Sequence, residues 1–90
     1  MIGQFVFSKA GHDKGALYVV VDCEEDFAYL CDGRLKPLSS PKKKRIKHIQ
    51  PINRKVEAGL FSRLTEGGPV RDEEIKYAIK QYKEQSETNY

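Results

Sequence analysis

Ala16-Leu17-Tyr18-Val19-Val20-Val21-Asp22-Cys23, followed after a turn by Phe27-Ala28-Tyr29-Leu30-Cys31-Asp32-Gly33, is the stretch whose reading decides the fold. It is dense in β-branched and aromatic residues, and neither half is long enough for an ordinary helix. Apolar side chains occupy consecutive positions, so both faces of the two strands need cover. The strands form a hairpin through Glu24, Glu25 and Asp26, which sets Cys23 opposite Phe27 and Cys31 opposite Val19. The two sulfurs then lie on different rungs, too far apart for a disulfide, and both cysteines are expected as buried structural thiols.

Reading outward, Gln4 to Ser8 (Phe5, Val6 and Phe7 at its centre) is a further strand upstream. Downstream, Asp32-Gly33 is a strong two-residue hairpin signal, predicting a return strand Arg34 to Lys36 that stops at Pro37. The lysine-rich run after Pro41 leads into a fifth strand, Arg45 to Gln50, which stops at Pro51. Five short strands within about fifty residues have the rhythm of a small barrel, and that length allows only the SH3-like kind.

Beyond residue 53 the apolar period changes from two to about 3.6. Val56, Leu60 and Leu64 recur every four residues, and Gly67-Gly68-Pro69 closes a helix over Lys55 to Glu66. Asp72 is placed to cap a second helix with Glu73 and Glu74 in its first turn, and Ile75, Ala78, Ile79 and Tyr82 on one face. The expected fold class is mainly β with C-terminal α: a five-stranded SH3-like barrel over 1–53, two short helices over 54–85 packed on it as one unit, and a frayed tail over 86–90.

Ninety residues bury one core, so a multidomain enzyme is excluded. With 39% hydrophobic and 32% charged residues and no apolar run near the roughly 18 of a spanning helix, the chain reads as soluble and cytoplasmic, without a membrane partner. The net charge of +3 conceals an asymmetry. Seven basic and no acidic residues lie between Arg34 and Lys47, leaving nine basic against thirteen acidic elsewhere. A basic segment on an acidic body points to an anionic partner, nucleic acid first and an anionic membrane surface second.

Catalytic arrangements are thin. Ser8, His12 and Asp13 are close in sequence, but neighbours in a tight loop are expected to splay apart. Glu24, Glu25 and Asp26 read as a solvated turn, and the spacing of Cys23, Cys31, His12 and His48 fits no metal site. No enzymatic activity, cofactor, metal or small-molecule substrate is expected. Ser8 to Gly15 is a glycine-rich turn through Gly11 and Gly15, and its rim of Lys9, His12 and Lys14 leaves an unobstructed backbone that an RNA strand can approach. The run Lys42, Lys43, Lys44, Arg45 and Lys47 repels itself unless an anion neutralises it, which favours a binding role; the same string also matches a short nuclear import signal. Tyr18, Tyr29, Tyr77 and Tyr82 are assigned to core packing rather than to base stacking.

Gly3 to Gly15 followed by Leu17 to Asp22 resembles the KOW motif, with alternating apolar and polar residues around a glycine, here Gly15. The order then continues with Tyr29-Leu30-Cys31-Asp32-Gly33, Lys42 to Pro51, and Asp72-Glu73-Glu74-Ile75. Over residues 2 to 82 it is similar to the "fourteen-e" large-subunit ribosomal proteins of archaea and eukaryotes and to short bacterial KOW-domain RNA-binding relatives; the Gly67-Gly68-Pro69 region is closer to the latter. The resemblance implies an RNA-binding protein, ribosomal or ribosome-associated, that contacts ribosomal RNA and possible neighbouring ribosomal proteins. Matched position by position, it implies RNA contacts at Lys9, His12, Lys14, Arg34, Lys36, Lys42, Lys43, Lys44, Arg45 and Lys47, with structural turns at Gly11, Gly15 and Gly33. Asp13 departs from the pattern, an anion that repels phosphate unless it bonds to neighbouring backbone amides. The alternative is a KOW-type protein-interaction module in the transcription or translation machinery.

Overall fold

The computed structural model describes residues 1–87. Its elements run β1 (Gln4–Ser8), β2 (Leu17–Cys23), β3 (Phe27–Cys31), β4 (Lys42–Arg45), a 3-10 turn (Ile46–His48), β5 (Ile49–Lys55), α1 (Ala58–Glu66) and α2 (Asp72–Glu87). The strands form an antiparallel five-stranded sheet in the order β4-β3-β2-β1-β5, followed by the two helices. β4 and β5 are its edges, joined through the 3-10 turn, and the hydrogen-bonded ladder is open rather than closed into a barrel.

The central hairpin forms because its residues need burial on both sides. One face gathers Val6, Tyr18, Val20, Ala28, Leu30 and Ile49. No residue of α1 or α2 belongs to this cluster; Ala16, and Ile46 of the 3-10 turn, pack against it. The other face gathers Phe5, Leu17, Val19 and Cys31 under Val56, Leu60, Ile75, Ala78 and Ile79 of the C-terminal segment. The stripe of α2 is thus covered by the first three strands, and Tyr82 extends it by packing its ring 4.9 Å from that of Phe5.

Several sequence expectations need correction. Arg34 to Lys36 is not a strand. The Asp32 carboxylate accepts the amides of Arg34 and Lys36, both at 2.9 Å, and the Asp32 amide donates to the Lys36 carbonyl, so a compact loop absorbs the donors that a ladder would have used. The partner of β3 is instead the lysine-rich run itself, with Ala28 opposite Lys44 and Leu30 opposite Lys42. The fifth strand begins at Ile49 rather than Arg45 and passes through Pro51 to Lys55, so the strand segment outlasts the boundary expected at residue 53. An edge strand tolerates proline because one side of its ladder has no partner.

A shift in register between Val20 and Asp22 leaves Cys31 opposite Val19, as expected, but moves Cys23 opposite Ala28. Cys23 is consequently exposed, not buried. Burial, with Asp72 and Asp32 nearby, pushes the Cys31 thiol up to about 12.

α1 starts at Ala58 and not Lys55, because the Glu57 carboxylate caps it by accepting the amides of Gly59 and Leu60. Asp72 turns its carboxylate to the Leu38 amide at 2.7 Å, tying the start of α2 to the loop before β4. α2 continues through Ser86 and Glu87, two residues past the expected end at Gln85; the rest of the expected frayed tail, 88–90, lies outside the described residues.

Candidate nucleic-acid interface

Antiparallel order decides which basic residues meet. The loop from β1 to β2 and the loop from β3 to β4 lie at the same end of the sheet, because both follow a strand running in the same direction. That end therefore carries Lys9, His12 and Lys14 on one loop, Arg34 and Lys36 on the other, and Lys42 at the start of β4. Lys9, His12, Lys14 and Arg34 are exposed, and Lys36 and Lys42 are half-buried. The Lys9 amide donates to the His48 carbonyl at 2.8 Å, which fixes the first loop against the 3-10 turn. Gly11, Gly15 and Gly33 all have positive φ, as turn residues of these loops.

The lysine-rich run does not act as one patch. As a strand it alternates, so Lys42 and Lys44 point to one face while Lys43 and Arg45 point to the other. Lys44 is only 9% exposed. Its ammonium lies 2.6 Å from Asp13 Oδ1 and donates to the Ala10 carbonyl at 2.7 Å. Lys42 Nζ is 3.4 Å from Asp13 Oδ2. Ser8 Oγ and Tyr18 Oη each donate to the same carboxylate at 2.9 Å.

Asp13 is thus the hub of the first loop, and it bonds to side chains of β1, β2 and β4. Burial raises its pKa, but the hydrogen bonds from Lys44, Tyr18 and Ser8 and the charge of Lys42 outweigh burial and hold the carboxyl well below the usual range. The Tyr18 hydroxyl moves the opposite way, raised by burial and by its bond to Asp13. Ser8 and Asp13, expected to splay apart, are in direct contact, yet they are organised around a buried ion pair. The cluster shapes the loop and leaves Lys44 turned away from solvent.

On the other face, the Lys43 ammonium sits 4.4 Å from the centre of the Phe27 ring and 5.9 Å from that of Tyr29, and the Arg45 guanidinium sits 5.0 Å from Phe27. These rings alternate with Ala28 and Leu30 along β3, on the same face as Cys31, and the two cations sit over them. Arg45 and Lys47 also share a cleft of about 480 Å³ with Glu25 and Asp26 of the hairpin tip. Their positive field is offset by those carboxylates.

Sequence reasoning missed the roles of Asp13 and Tyr18. The signal was present: a single acid inside a basic loop, and a lysine run whose strand period sends every second ammonium inward. Among the described residues no group of three or more histidine, cysteine, aspartate or glutamate side chains is placed to hold a metal ion, and no helix is long and apolar enough to cross a membrane. A scan against protein-family models finds no match, and the search of curated proteins finds none either.

Proposed function

We propose that this chain is a non-catalytic RNA-binding protein of the KOW type, its curled sheet an SH3-like barrel, acting in the cytoplasm on ribosomal RNA as a ribosomal or ribosome-associated protein. One observation carries the reading: the topology collects Lys9, Lys14, Arg34, Lys36 and Lys42 at one end of the sheet, on loops braced before any ligand arrives. Cations on preordered loops suit a fixed array of phosphates, because little side-chain and loop entropy remains to be lost on binding. Lysine and arginine dominate this end, so recognition is of backbone and shape more than of base edges.

The resemblance to KOW proteins supports ribosomal RNA as the target. The burial of Val6, Tyr18, Val20, Ala28, Leu30 and Ile49 without cover from α1 or α2 supports the barrel. Within the basic set the roles divide. Lys44 holds the loop through Asp13, and Lys43, Arg45 and Lys47 form a secondary contact zone, weakened by Glu25 and Asp26.

Co-sedimentation with ribosomal subunits tests the reading. The purified protein is expected to pellet with subunits at low salt and to be released as salt rises, and a protein that stays in the supernatant at low salt contradicts it. A second reading, a protein-interaction module, draws on a groove of about 590 Å³ between β5, α1 and α2, floored by Phe5, Leu60 and Tyr82 and flanked by Tyr77. Association through that groove would resist salt, whereas phosphate contacts would not.

A further inference from the structure

Leu35 is 78% exposed, the most exposed of the large apolar side chains among the described residues. A lone exposed leucine on a mobile loop needs no explanation. This loop is held from two sides. The Asp32 carboxylate accepts the amides of Arg34 and Lys36, and the amides of Asp32 and Gly33 donate to the Lys36 carbonyl at 3.1 and 3.4 Å. Behind it, Gly33 is pressed so closely on the first turn of α2 that an added Cβ would lie 2.8 Å from the Lys76 amide nitrogen and overlap the Asp72 carbonyl oxygen. The fold thus holds an isobutyl group out into water on a rigid support, between Arg34 and Lys36.

We infer that Leu35 is an apolar wedge that packs against an unpaired base of the bound RNA while Arg34 and Lys36 take the adjacent phosphates. The inference rests on the RNA-binding reading and deepens it, since it specifies an RNA element with an unstacked nucleotide, such as a bulge. Charge favours this occupant. The loop shares its end of the sheet with the exposed Lys9 and Lys14, while the Asp32 carboxylate is turned to the amides of its own loop, the Asp72 carboxylate to the Leu38 amide, and Asp13 to Lys42 and Lys44. Glu73, exposed in the first turn of α2, is a further acid on the helix that packs behind this loop. Apolar side chains inserted at a base step exploit sites where unstacking is already cheap, and a bulge offers one.

The test uses two labelled RNA hairpins, one fully paired and one with a single-nucleotide bulge, titrated by fluorescence anisotropy against the full chain. The wild type is expected to prefer the bulged probe by about tenfold, and Leu35→Ala to abolish that preference while keeping the wild-type salt slope and melting temperature. Arg34→Gln is expected to weaken both probes and flatten the slope. A Leu35→Ala variant that retains the preference overturns the wedge and leaves the RNA reading intact. Wild-type protein that binds neither probe nor ribosomal subunits overturns both. A Leu35→Ala variant that binds both probes like wild type but no longer co-sediments with subunits overturns the base contact in favour of an apolar pocket on a protein.

Discussion

Replacing Asp13 by alanine removes the acceptor shared by Lys44, Lys42, Ser8 and Tyr18. The main cost falls on Lys44, which is 9% exposed and keeps its bond to the Ala10 carbonyl but loses its counter-ion. Breaking a buried pair from one side costs about 3–5 kcal/mol, because the surviving charge is uncompensated. A chain of this length has a total stability on the order of 5–13 kcal/mol, so the loss is a large fraction of it. Lys44→Met is expected to cost less, about 1–2 kcal/mol, because Asp13 is 14% exposed and keeps Ser8, Tyr18 and Lys42. The double variant is then expected to be more stable than Asp13→Ala alone, a sign reversal that a loop held by unrelated contacts would not give. Urea unfolding of the four proteins measures this directly. An Asp13→Ala protein within about 0.5 kcal/mol of wild type, the change typical of an ordinary surface substitution, would refute the hub.

Three further outcomes are expected. Gly15 has φ +89° and open space around its Cβ position, so Gly15→Ala costs only left-handed strain of about 1–2 kcal/mol, whereas Gly33→Ala also strikes the backbone of α2 and costs more; equal melting temperatures would contradict this. The depressed Asp13 pKa contributes stability that is present above the unfolded carboxylate value of about 4 and is lost as pH falls from there toward the folded value. The stability gap between wild type and Asp13→Asn is therefore expected to narrow in urea titrations below about pH 4, and a gap that widens there refutes the ionised hub. Truncation after Gly68 uncovers Phe5, Leu17, Val19 and Cys31 and is expected to produce aggregation by light scattering, while truncation after Gln85 keeps the Arg54–Gln85 hydrogen bond and is expected to be silent.

The central strands were legible from their density of β-branched and aromatic residues, and both helices and the packing of α2 from a period of about 3.6 visible over several residues. Ile75, Ala78 and Ile79 could be assigned to a buried stripe from spacing alone. What escaped was decided by side chains competing with the backbone. Asp32 captured the Arg34 and Lys36 amides and converted an expected strand into a loop, which left the lysine run to pair with β3. That run reads as a uniform charge block in composition, yet pairing gives it two faces, with Lys44 inside and Lys43 over Phe27. The site was legible as a set of cations but not as a geometry. Asp13, 31 residues from Lys44, joins it through a contact that no local pattern announces.

The salt dependence of RNA binding tests the central claim most directly. If about four of the cations at the loop end contact phosphates, log affinity for ribosomal RNA is expected to fall against log salt with a slope of about −3, taking roughly −0.7 to −0.9 per contact. Replacing Lys9 and Lys14 by glutamine is expected to flatten the slope by about one to two units. Lys44→Met, measured where it remains folded, is expected to leave it unchanged, since that ammonium is spent on Asp13. A slope insensitive to Lys9 and Lys14 but flattened by Lys44→Met would contradict the account.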